Sequence, residues 1–182
     1  ANNDTMEERG DFYIHNFPTH SARADRIRQL LDEGSDFSVD QFCQMQLDLF
    51  DLRAKELLPD LVKLLRASED SLVVRAADIL ENWDCQASLD SVGACVFYPF
   101  LDRYWQRNYL FDALGDDLFK LMPLAAPGLN RFDFKTFTKE ASPWSQHREI
   151  LNEIVHKEMR VVMDRLHESL GAEESAWRWG DL

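Results

Sequence analysis

Two adjacent side-chain amides, Asn2 and Asn3, and the guanidinium of Arg23 are the groups near the start of this sequence that could act on a bound molecule. A carboxamide donates hydrogen bonds without titrating, so it can steady a developing negative charge across the working pH range. Taken alone, the three residues describe less: turn residues followed by a solvated arginine at a helix start. The other candidates are weaker. His156 and His167 fall on one helical face, but at 1.5 Å per residue they lie about 16 Å apart along the axis, too far to share a metal. They read as surface histidines. His15 and His20 sit in loop-like sequence with no third ligand at a recognisable spacing, and read as residues of a pocket rim. Asp112, Asp116 and Asp117 lack the alternating ligands and terminal glutamate of a calcium loop. Ser21 and Ser145 have no base implied beside them. Cys43, Cys85 and Cys95 are an odd set without Cys-x-x-Cys spacing, which indicates neither zinc nor a disulfide framework. Cys43 and Cys95 lie within apolar patterns and are expected to be buried thiols.

The elements that must position these groups are helical. At 182 residues and 45% apolar composition, the chain has enough material for one core. A net charge of −13, with no basic run, excludes nucleic acid as a partner. The longest apolar run, Val92 to Leu101, is shorter than the roughly 20 residues a helix needs to span a bilayer, so no membrane partner is expected. No secretory leader is visible at Ala1-Asn2-Asn3, which says nothing about compartment.

Residues 1–20 have no sustained period and are expected to form a loop, in which Phe12, Tyr13, Ile14 and Phe17 cover apolar surface. Ser21 is placed to cap a first helix whose face is Ile27, Leu30 and Leu31, stopped by Gly34. Ser38-x-x-Gln41 is a capping box, and Phe37 with Phe42 fits a hydrophobic staple. Phe42, Met45, Leu49 and Leu52 then predict one long helix with a buried stripe, ended or kinked at Pro59. Leu61, Leu64 and Leu65 predict a short third helix. Val73, Ala76, Ala77, Leu80 and Trp83 predict a fourth, closed by a Trp83-Asp84 corner. Ser88 is placed to cap a run through Val92, Val96, Phe100 and Trp105, with a kink at Pro99. Leu118 to Met122 predicts a short helix ended by Pro123, and Pro127-Gly128 a turn. Residues 131–138 favour helix only slightly over strand. Ser142-Pro143 opens a last helix, whose stripe is Leu151, Val155, Met159, Val162, Leu166 and Leu170, ended by Gly171. The fold class is mostly α, a compact array of antiparallel helices in a single domain or subdomain over 1–182.

Several separated motifs follow the asparagine pair in order. They are Arg23-x-x-Arg26-Ile27-x-x-Leu30-Leu31, Gln46-Leu47-Asp48 through Ala54 and Leu58-Pro59, and Leu80-x-x-Trp83-Asp84. Leu166 through Leu170-Gly171 then leads to Trp177-Arg178-Trp179-Gly180. Each is weak alone, but their order and spacing resemble the penicillin acylase (penicillin amidase) family of N-terminal-nucleophile hydrolases. The likeness covers this chain end to end and corresponds to an internal helical segment of the family's large catalytic chain. Three departures stand out. Asp51 and Leu52 occupy a place where the family often has serine, 112–140 matches no motif, and Ala1 carries no nucleophilic side chain.

The resemblance implies a fragment of a larger amidohydrolase that cleaves linear amides of acylated substrates, such as β-lactam side chains or N-acyl homoserine lactones. It implies that Asn2 is an oxyanion-hole donor, with Asn3 a one-place alternative, and that Arg23 supports the site. The nucleophile and its α-amine, which acts as base, are then expected from the remainder of the enzyme, leaving this chain inactive by itself. No cofactor or metal is implied, and the compartment implied is periplasmic or extracellular. Two other classes remain open. A non-catalytic helical interaction domain would bury its apolar stripes internally, whereas a fragment should expose an apolar docking face. A metal-dependent hydrolase would carry stoichiometric metal.

Overall fold

The computed structural model describes residues 22–101 and 148–182. Six α-helices run through them: α1 Ala22–Asp32, α2 Val39–Gln46, α3 Leu52–Arg66, α4 Ser71–Glu81, α5 Val92–Tyr98 and α6 Arg148–Leu170. Two 3-10 turns follow, Glu174–Ala176 and Trp179–Asp181. Among the described residues there is no strand, only an isolated antiparallel bridge between Phe50 and Gln86. The helical class expected from the periodicity is the one found.

The core lies where α4 meets α3, α5 and α6. Val73, Ala76, Ala77 and Leu80 form the buried face of α4, and its two alanines leave room for the neighbouring helices to approach. Leu57, Leu61 and Leu65 of α3, Val96 and Phe97 of α5, and Val155, Met159, Val162 and Met163 of α6 complete the cluster. Val155, Met159, Val162 and Leu166 of the α6 stripe are therefore core, as their spacing predicts, and Leu170 packs half-buried against them. Gly171 ends that helix at φ +93°, a conformation that favours glycine, and its N–H donates to the His167 carbonyl at 3.0 Å. Gly93 is the second glycine with a specific duty. A β-carbon there would lie 2.1 Å from Cγ of Trp83, so α5 can pass the Trp83 ring only without a side chain.

Helix starts are set by local polar groups. Ser38 and Gln41 form the reciprocal capping box, with the Ser38 N–H donating to Gln41 Oε1 at 2.8 Å. Phe37 and Phe42 meet at 5.6 Å between ring centroids, which is the staple. Asp51, Asp70 and Ser91 cap α3, α4 and α5 by accepting from Ala54, Leu72 and Ala94 N–H groups.

Several boundaries and burials differ from expectation. The helix expected to run from Ser38 to Pro59 is two helices, α2 and α3, broken at 47–51. Pro59 sits inside α3. The carbonyl it leaves without an N–H partner belongs to Lys55, and both residues are exposed, so water can take the lost bond. Ser91 rather than Ser88 caps α5, and after Tyr98 the backbone passes through a wider π-type turn over 99–101 at Pro99. Neither α1 nor α2 contributes a buried residue. Ile27, Leu31, Phe42 and Leu49, expected on buried faces, are exposed, and so is Cys43. Cys95 is buried as expected, and so is Cys85. The expectations for 1–21, including Ser21, and for 102–147, including Trp105 and Ser142-Pro143, lie outside the described residues.

Candidate functional site

The polar motif residues of α1 and of the Gln46-Leu47-Asp48 element meet on one open groove of about 880 Å³. Arg23 and Arg26 of α1, Gln46 at the end of α2 and Asp48 just beyond it all line it. Its apolar wall comes from Ile27, Leu30, Phe42, Met45 and Leu49, and Tyr98 closes one side.

The two arginines of α1 differ in state. The Arg26 Nε–H donates to Asp48 Oδ2 at 2.7 Å and an Nη2–H to Oδ1 at 3.1 Å, a two-pronged, charge-assisted pair. The same guanidinium lies over the Phe50 ring, 4.7 Å from its centroid. Hydrogen bonding to Asp48 raises the Arg26 pKa, and the reciprocal bond from Arg26 holds the Asp48 carboxyl below the ordinary carboxylate range. Arg23, one turn earlier, is exposed and has no ion-pair partner among the described residues.

The lowered Asp48 pKa gives a pH dependence of known sign. Stability from this carboxylate is fully present above the unfolded value of about 3.9 and is lost as pH falls through the lower folded value. Wild type is therefore expected to exceed Asp48→Asn in stability at neutral pH, with the gap closing only below about pH 4. Denaturant unfolding of both proteins across a pH series measures it.

The floor of the groove is anchored to the body by backbone pairing. The Asp51 N–H donates to the Cys85 carbonyl at 2.8 Å, and the Ala87 N–H to the Leu49 carbonyl at 2.9 Å. Asp51 has two duties: Oδ1 caps α3 through Ala54 N–H at 3.0 Å, and Oδ2 accepts from the Tyr98 hydroxyl at 2.7 Å. The Trp83-Asp84 corner is closed by Trp83 Nε1–H to the Gln86 carbonyl at 3.0 Å and by Gln86 N–H to Asp84 Oδ1 at 2.9 Å.

The remaining candidates find structural work or fall outside. Asn2, Asn3, His15, His20, Asp112, Asp116 and Asp117 lie outside the described residues. His156 and His167, expected at the surface, are half-buried: His156 Nε2 meets the Leu64 carbonyl at 2.8 Å, and His167 Nε2 lies 3.3 Å from Glu174. Both tie α6 to its neighbours, because the helix turns them toward packed elements rather than outward. Burial pushes the Cys85 thiol up and takes Cys95 to about 11, which keeps both protonated and unreactive near neutrality. Among the described residues no group of His, Cys, Asp and Glu is placed to hold a metal ion, and no helix is long and apolar enough to cross a membrane. Trp177 is a buried core residue and Trp83 packs against the core. Phe50 and Tyr98 were not singled out by the sequence, since neither belongs to a motif.

The segments that carry the resemblance are also physically joined. Trp177 is buried, Trp179 packs on Tyr98 at 5.1 Å, Arg178 pairs with Asp90, and the Gly180 N–H donates to the Leu89 carbonyl at 2.8 Å. Tyr98 in turn holds Asp51 at the groove. The C-terminal tryptophan motif, the Trp83-Asp84 corner and the Gln46-Leu47-Asp48 element thus buttress one another. The penicillin amidase family model matches residues 1–182, and the chain belongs to the penicillin amidase family of hydrolases.

Proposed function

We propose that this chain supplies the helical scaffold and part of the reaction machinery of an amidohydrolase acting on linear amides of acylated small molecules. β-Lactam side chains and N-acyl homoserine lactones are the substrate classes in view. Asn2, in the loop 1–20, donates to the tetrahedral oxyanion, and Arg23 supports the site from the groove wall. The nucleophile and its α-amine come from the remainder of the enzyme, and no cofactor or metal takes part. The setting is periplasmic or extracellular.

The observation that carries this reading is the separation of duties between the two α1 arginines. Arg26 is committed to Asp48, whereas the Arg23 guanidinium stays open on the groove. Among the described residues Arg23 has no ion-pair partner, which leaves its cation available to the groove. The exposed apolar side chains of α1, α2 and the turn after them, Ile27, Leu31, Phe42, Leu47 and Leu49, favour a face covered by the rest of the enzyme.

The test is turnover of phenylacetyl and long-acyl amides. Arg23→Ala in the complete enzyme is expected to lower kcat/KM about 10-fold, the equivalent of one lost charge-assisted contact. The 182-residue chain alone is expected to show no turnover. Undiminished activity of the variant, or amide cleavage by the isolated chain, would remove these roles.

A further inference from the structure

We infer that Arg26 and Asp48 form a positioning device that sets α1, and with it Arg23, against the groove. The inference rests on the supporting role proposed for Arg23 and extends it to two residues that do not touch substrate.

Helices in a globular protein are usually oriented by the apolar face they bury. α1 has no buried residue, and Ile27 and Leu31 keep 49% and 39% of their surface in water. Its apolar side therefore leaves its rotation poorly fixed. The Arg26–Asp48 pair supplies what that face does not. A planar guanidinium bonded through two nitrogens to both oxygens of one carboxylate fixes direction as well as distance. Its side chains keep only 23% and 20% of their surface exposed, so it is less screened than an open surface pair. The ring of Phe50 beneath restricts tilt.

Asp48 is a firm reference because the residues after it are immobilised. Phe50 bridges to Gln86, the Leu49 carbonyl and Asp51 N–H are bonded to Ala87 and Cys85, and Asp51 is gripped by Tyr98. Arg23 precedes Arg26 by three residues on the same helix, about 4.5 Å along the axis. Any roll of α1 that broke the pair would swing the Arg23 side chain off the groove wall. The Arg28–Asp25 pair gives the contrast. It lies within α1 at 62% and 38% exposure, so it cannot orient the helix against anything.

The experiment uses the complete enzyme, with hydrogen exchange and steady-state kinetics on Asp48→Asn, Arg26→Lys, Arg23→Ala and the Asp48→Asn/Arg23→Ala pair. In Asp48→Asn, backbone amides of α1 are expected to exchange about 10-fold faster while those of α4 keep their rates, because opening confined to one element leaves the others protected. A displacement of about 1 Å can cost up to 10²-fold in rate, but a loss that acts through Arg23 cannot exceed that of Arg23→Ala, so kcat should fall by up to about 10-fold with KM little changed. Lysine keeps the charge at position 26 but not the fork, and should give an intermediate loss. The double variant should be no slower than Arg23→Ala alone, as for two residues acting through one group. Arg28→Ala is the control, with both readouts at wild-type values. Unchanged α1 exchange in Asp48→Asn, or losses that multiply in the double variant, would overturn the inference. If Arg23→Ala alone leaves turnover intact, the role of Arg23 fails separately, and the exchange result decides the positioning device by itself.

Discussion

Trp177→Ala is expected to cost about 3–5 kcal/mol of folding stability, the range for deleting a fully buried aromatic side chain. Trp177 keeps only 1% of its surface, and it closes the core below the end of α6. Its indole N–H donates to the Gly171 carbonyl at 2.8 Å, and its ring meets His167 edge-on at 5.0 Å between centroids. Alanine would leave a cavity between α5 and α6 and an unpaired carbonyl at the point where the chain turns back. Neither loss is easily repaired, because Gly171 must hold its positive φ for the turn to form. For a protein of this size about 2–4 °C of melting temperature goes with each kcal/mol, so a drop of roughly 6–20 °C should appear in a thermal melt. Trp177→Phe keeps most of the volume and loses the hydrogen bond, so it should cost about 1 kcal/mol. A Trp177→Ala loss under about 1 kcal/mol would mean that the cavity closes by repacking.

The second large effect concerns turnover. In the complete enzyme, Asn2→Ala is expected to lower kcat by about 10²–10³-fold, or roughly 2.7–4 kcal/mol, the usual consequence of losing one oxyanion donor. A donor used chiefly in the transition state should reduce kcat and kcat/KM together and leave KM nearly unchanged. Asn2→Asp should be at least as damaging, because a carboxylate beside a developing oxyanion adds repulsion in place of a hydrogen bond. Asn3→Ala, measured alongside, separates the two neighbours. If Asn3→Ala carries the large loss and Asn2→Ala does not, the donor is one position along. Equal and small losses in both would remove the pair from the mechanism.

What the sequence made legible follows the range of the forces involved. The capping box at Ser38 and Gln41, the Phe37–Phe42 staple and the Gly171 stop are settled by residues within a few positions of one another, and each is present. The stripe of α6 is legible because a long apolar period has few alternatives. The break between α2 and α3 is not. It exists because Leu49, Phe50 and Asp51 bond to residues 85–87, a partnership that local pattern does not encode. Periodicity also finds an apolar face without saying what covers it, which is why Phe42 and Leu49 were expected to be buried. At the groove, Arg23 and Arg26 could be read as a pair of like residues, but only their partners distinguish them. Arg26 meets its partner 22 positions away, and that contact separates it from Arg23, which has no ion-pair partner among the described residues.

Among the described residues, the helix that presents Arg23 adds no buried side chain to the interior made by α3, α4, α5 and α6. On heating, such an element detaches before the rest melts. The enzyme would then lose its working geometry while most of its helical signal persisted, and cooling would restore activity without any refolding of the interior. On the function proposed above, thermal inactivation and thermal denaturation would be two events, the first reversible and governed by the Arg26–Asp48 pair together with the contact of α1 with α3.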